Sequence, residues 1–196
     1  MSDTIPNKNA RKKLLHFEAA GFVFNVLAAA ALHFIYELSG NALYAAIFCS
    51  VNESVWEHMK IFSIPYVVWG FVEVFCSGVS FKRLAVAKVC GLCVITALIP
   101  VLFYTYTGIL GRNIAVLDIL CGVAAAALAY FASFRTAASA PCPGRWFAAA
   151  SLVFALYCAA TVFFTFAPPQ IGIFRDPVSG GYGLPSSFTG FQRPLT

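Results

Sequence analysis

The chain has 196 residues, 60% of them hydrophobic and only 11% charged, with a formal net charge of +5 and a mean hydropathy of +0.80. Soluble domains carry roughly 25% charged residues, so a soluble enzyme is excluded, and the cations cluster beside apolar runs instead of forming a nucleic-acid patch. The composition predicts one all-α, polytopic membrane domain of about five spans of roughly 20 residues each.

Residues 1–13 form a basic tail with Lys8, Arg11, Lys12 and Lys13. The apolar run after it is too long for a signal-peptide core and lacks a cleavage site, so residues 14–38 are expected to form an uncleaved first span. It carries His16, Glu18, Asn25, His33 and Glu37, with Glu18 expected to pair with Lys12 or Lys13. His33 and Glu37, four apart, share a helical face. Ser39-Gly40-Asn41 breaks the helix, and residues 43–49, apolar but too short to cross, are expected to be re-entrant or interfacial.

Ser50 followed by Glu53 has the form of a capping box, which places a helix start at Val51 and a second span over 51–78 with a kink at Pro65. Its first turns hold Glu53, Glu57, His58 and Lys60; Glu73 lies deeper, with no evident partner. Further spans are expected over 84–108, 114–134 and 146–167, completing a transmembrane domain over 14–168. Asp118 is expected to pair with Arg112 or to join the polar cluster, and the run from Ala124 to Ala127 suits close helix packing. Pro168-Pro169 stops the last helix, and residues 169–196 form an irregular extracytoplasmic tail in which Ile171, Ile173 and Phe174 offer an apolar side. The seven Cys, an odd number lying mostly in apolar runs, suggest no disulfide framework, and Cys90-x-x-Cys93 is read as a pair of small hydrophobes.

Lys and Arg are concentrated on one side: Lys8, Arg11, Lys12, Lys13, Lys82, Arg83, Lys88, Arg135 and Arg145, against Lys60, Arg112, Arg175 and Arg193. The positive-inside rule then predicts N-in, C-out. His33, Glu37, Glu53, Glu57, His58, Asp118 and Asp176 all fall outside. Carboxylate and imidazole suit a divalent ion such as Zn or Mn, so His33, Glu53, Glu57 and His58 are candidate ligands. Glu37 is the candidate general base, Lys60 or Arg175 the anion clamp, and Asn52, Trp56, Asp118 and Asp176 further candidates. A structural account competes: Glu53 as a cap, Glu57 and Lys60 as an ion pair, Trp56 as an interfacial belt residue.

The stretch Asn52-Glu53-Ser54-Val55-Trp56-Glu57-His58 followed by Lys60, with Leu32-His33-Phe34 upstream, resembles the signature of a family of small bacterial integral-membrane proteins of unknown function. The segment Phe174-Arg175-Asp176-Pro177-Val178-Ser179-Gly180-Gly181-Tyr182-Gly183 is similar to that family's C-terminal motif. The resemblance implies a polytopic fold in a bacterial cytoplasmic membrane, no assigned activity, and a tail that lies over the outer cluster as a lid.

The functional expectation is an outward-facing acidic and His pocket in contact with the bilayer, binding a cation or polar head group. Its sharper form is a metal-dependent hydrolase or transferase at the outer leaflet. A second expectation is a substrate-binding or permease subunit for a small solute, suggested by the helix break before Ser50, although no internal repeat is visible. A third is a structural or assembly partner, for which the cluster would be neutral to mutation.

Overall fold

A computed structural model of the protein describes residues 6–138 and 144–184. Among these residues there are six α-helices, a 3-10 turn at Gly172–Phe174 and an isolated antiparallel bridge between Arg175 and Tyr182. Five of the helices are long and apolar enough to cross a membrane.

Helix α1, Lys8–Leu38, starts where the Asn7 side chain accepts from the Ala10 amide at 2.9 Å. Its 31 residues measure about 46 Å, more than the roughly 30 Å of a hydrocarbon core, so it reaches past one face of the bilayer or tilts. It ends as Gly40 and Asn41 turn to positive φ, 71° and 63°. The short α2, Leu43–Phe48, packs on α1 and α6. Helix α3, Val55–Cys76, is capped by Ser54, whose hydroxyl accepts from the Glu57 amide at 3.4 Å.

This start corrects the expected one at Val51. The sequence holds two consecutive Ser-x-x-Glu patterns, Ser50 with Glu53 and Ser54 with Glu57, and the second sets the cap. Glu53 therefore stands in the preceding bend. The helix runs on through Pro65 to Cys76.

Helix α4, Phe81–Leu110, closes on Gly111 in the left-handed conformation, and α5 is Ala115–Ala138. Helix α6, Gly144–Phe166, stops just before the Pro168-Pro169 pair, which cannot extend it. Helix α3 is the most enclosed, packing on α1, α4 and α5, whereas α6 leans mainly on α4 and leaves most of its surface outward.

The core joins Met59, Ile61, Phe62 and Tyr66 of α3 to Leu92, Ile95 and Ile99 of α4 and to Ala125, Ala126, Ala129 and Tyr130 of α5. Of the expected small-residue run, Ala125 and Ala126 lie in the interior, where small side chains let backbones approach, while Ala124 and Ala127 face outward. Gly91 is essential to the fit: a Cβ there would meet the Tyr66 hydroxyl and the Ala129 carbonyl. Cys90 and Cys93 are free thiols on the exposed face of α4.

Candidate functional site

Helices α1 and α3 run antiparallel, and their polar side chains meet at both ends. At the end away from the N-terminus, His33 of α1 and His58 of α3 converge on Glu53 in the bend before α3. The His33 Nε2 lies 3.4 Å from Glu53 Oε1 and the His58 Nε2 3.7 Å from Glu53 Oε2. One donor atom from each falls within 4.8 Å of the others. The two rings stand 5.8 Å apart, and His33 packs edge-on against Phe34.

His58 is oriented by its own helix, since its Nδ1 is 3.0 Å from the Ser54 carbonyl. With Nδ1–H donating to that carbonyl, the Nε2 lone pair points at Glu53. The group is half-buried, with Glu53 the most exposed member at 45%.

Glu57 lies outside this group. It is buried with Lys60 as an ion pair at 2.6 Å, and its Oε2 also accepts from the Val51 amide at 3.0 Å. The Lys60 ammonium donates further to the Ala46 carbonyl at 2.7 Å and to Thr165 Oγ1 at 3.4 Å. The pair thus ties α2, α3 and α6 together. Its lysine, 2% exposed, has its donors engaged and does not stand free as an anion clamp. Cys49 lies beside this pair, where burial pushes its thiol up, with Lys60 opposing.

The remaining candidates disperse. Glu37 is exposed, one turn past His33, and no ion pair of its carboxylate is present among the described residues. Asn52 donates from Nδ2 to the Gly183 carbonyl at 2.9 Å and accepts from the Ser54 amide at 2.9 Å. Trp56 meets Phe164 edge-to-face and Phe174 at a tilt, with ring centres 5.3 and 5.0 Å away. Asp176 organises the tail itself, accepting from the Val178 and Ser179 amides, while Arg175 is exposed over Gly180. Asp118 accepts from the Tyr106 hydroxyl and pairs neither with Arg112 nor with the cluster, because the α4–α5 turn brings Tyr106 to it first. The tail therefore does pack over the Asn52–Trp56 stretch; residues 185–196 lie outside the described residues.

The other end holds a polar centre the sequence did not disclose. Lys88 of α4 donates to Glu18 Oε2 of α1 at 2.7 Å and to Glu73 Oε1 of α3 at 2.8 Å, with Glu73 Oε2 equally near. Ser133 of α5 donates to Glu18 Oε1 at 2.7 Å. Glu18 thus pairs with Lys88, not with Lys12 or Lys13, and Glu73 has a partner after all. A signal was present. With the helix beginning at Phe81, Lys88 falls among the inward positions Leu84, Ala87, Gly91, Leu92, Ile95 and Ile99, whose spacing is that of one helical face. Counting Lys88 among the flanking cations hid it.

No curated protein and no solved structure matches the chain. A family profile does, over residues 6–184, which takes in all six helices and both polar centres, and the chain thereby belongs to the family of unknown function DUF6512.

Proposed function

We propose that this is a multi-pass protein of a bacterial cytoplasmic membrane, N-in and C-out, whose His33–Glu53–His58 group binds a divalent cation at the outer face. The observation that carries the reading is the convergence of two imidazole Nε2 atoms on one carboxylate, with the His58 Nδ1 engaged by the Ser54 carbonyl. The donor types suit the ion. Tetrahedral bonds of about 2.0 to 2.1 Å put ligand atoms about 3.3 Å apart; the His–Glu separations, 3.4 Å to Oε1 and 3.7 Å to Oε2, are near that, and one donor atom from each residue lies within 4.8 Å of the others, so the three draw together on binding.

Two nitrogens and one carboxylate oxygen suit Zn or Mn. Such an ion with three protein ligands keeps a position for water, which is the arrangement of hydrolytic sites. The sharper proposal is hydrolysis or group transfer on a lipid head group or small solute at the membrane surface. His33, Glu53 and His58 hold the ion in that reading, and Glu37, exposed one turn beyond His33, is the general base.

The test is elemental analysis of detergent-purified protein after loading with zinc or manganese and removal of the excess. The expected result is near-stoichiometric metal, retained in Glu37→Gln and lost in a His33→Ala, His58→Ala double variant. Absence of metal after loading, or equal metal in the double variant, overturns the proposal.

A further inference from the structure

The Glu18–Lys88–Glu73 centre has one more negative group than positive. Glu18 is 3% exposed, Glu73 0% and Lys88 9%, so solvent does little to screen them. The charges bearing on the two carboxylates are Lys88 and each other. The other ionisable groups facing the centre are the phenols of Tyr66 on α3 and Tyr130 on α5, with the Lys88 ammonium 5.0 Å from each ring centre. The buried Arg83, nearer the start of α4, donates to the Ala137 carbonyl at 3.3 Å.

Two ionised carboxylates against one ammonium leave a net negative charge in a low-dielectric interior, and carboxylates sharing one site do not both stay ionised there. A single proton on the pair neutralises the centre. Further polar groups are buried around it: the Tyr66 hydroxyl beside Ser133, and the Tyr130 hydroxyl beside the Asn25 side chain.

The centre also borders a cavity through Lys88. A cleft of about 190 Å³ between α3, α4 and α6 is walled by apolar side chains, including Phe71, Phe81, Phe147 and Phe154, and reaches Lys88 beside Gly70. Phe81 and Phe147 belong to the first turns of α4 and α6, so the cleft runs toward the end of the bundle that carries the N-terminus.

We propose that the Glu18–Lys88–Glu73 centre is a proton-binding site, holding one exchangeable proton on its two carboxylates within the membrane interior. Binding is the addition of a proton to a carboxylate oxygen to give a neutral acid, and release is its reverse; no redox partner is involved. The inference does not depend on the metal site at the opposite end.

The decisive measurement is the protonated-carboxyl C=O stretch in the infrared spectrum of the protein in lipid vesicles near neutral pH, in water and in D₂O. The unmodified protein should show one such carboxyl from this centre, shifted by D₂O and lost as the pH is raised. Glu18→Gln and Glu73→Gln should each abolish it, because either leaves a balanced acid–lysine pair. Lys88→Met should double it, and the exposed Glu37→Gln should leave it unchanged. If a single variant fails to fold, the pH titration of the unmodified protein still decides. A spectrum unaltered by both Gln variants overturns the proposal. So does a sodium-dependent thermal stabilisation that Glu73→Gln removes while no protonated carboxyl is seen, which would assign the site to a metal cation instead.

Discussion

Replacing Lys88 with methionine nearly preserves the side chain's length and its contact with Tyr66 and Tyr130, but removes the ammonium lying 2.7 to 2.8 Å from Glu18 and Glu73. Both carboxyls must then be neutral, one proton more than in the unmodified centre. Protonating a carboxyl near neutral pH costs about 1.4 kcal/mol for each pH unit above its ordinary value near 4.3, or about 3.7 kcal/mol in all. That agrees with the roughly 3 to 5 kcal/mol lost when a buried ion pair loses one partner. For a chain of this size it lowers the melting temperature by on the order of 10 °C.

Thermal unfolding in detergent, followed by far-ultraviolet circular dichroism, measures the loss. Above the ordinary carboxylate range the variant takes up two protons at this centre on folding and the parent one, the Lys88 ammonium being charged in both the folded and the unfolded parent. The deficit therefore grows with pH, by about 1.4 kcal/mol per unit, and shrinks as the solution is acidified. Adding Glu18→Gln and Glu73→Gln to Lys88→Met should restore most of the stability, since no charge is left to bury. A melting temperature lowered by less than about 2 °C with no dependence on pH would refute the reasoning.

Gly91→Ala forces a methyl against Tyr66 and the Ala129 carbonyl and should cost about 1 to 3 kcal/mol by the same assay. Ser54→Ala removes the cap of α3 and should cost about 1 kcal/mol. Lys60→Met strands the buried Glu57 and should cost about 3 to 5 kcal/mol, largely recovered when Glu57→Gln is added. Phe174→Ala takes away a ring packed on Trp56; limited proteolysis should then cleave the tail faster while the spans stay intact, and equal cleavage rates would contradict the packing described.

The five spans were readable because apolar runs of membrane-crossing length dominate the composition, and the buried Ala125 and Ala126 because small residues mark close packing. The pairing of His33 with Glu53 and His58 was also within reach, since a short link joins the two helix ends. Four residues of error at the start of α3 obscured the division of labour. Once Ser54 is the cap, Glu53 moves into the bend and Glu57 turns inward to Lys60, so two acids expected to act together serve different centres. The Lys88 centre was hidden for another reason. Its members come from α1, α3, α4 and α5, and a charge near a helix end looks like an orientation signal until the register of that helix is known. The Asp118–Tyr106 bond likewise depends on how tightly α4 turns into α5.

Helices α1 and α3 each place a residue in both polar centres, with Glu18 and His33 on one and Glu73 and His58 on the other, each pair fifteen residues apart. The two centres are therefore mounted about 22 Å apart on the same pair of rods, which are cross-pinned midway where Asn25 donates to the Phe62 carbonyl and, beside Glu18, where Trp69 donates to the Phe17 carbonyl. A roll or axial slip of one rod against the other displaces partners at both ends together, so the arrangement is a lever whose two arms load simultaneously.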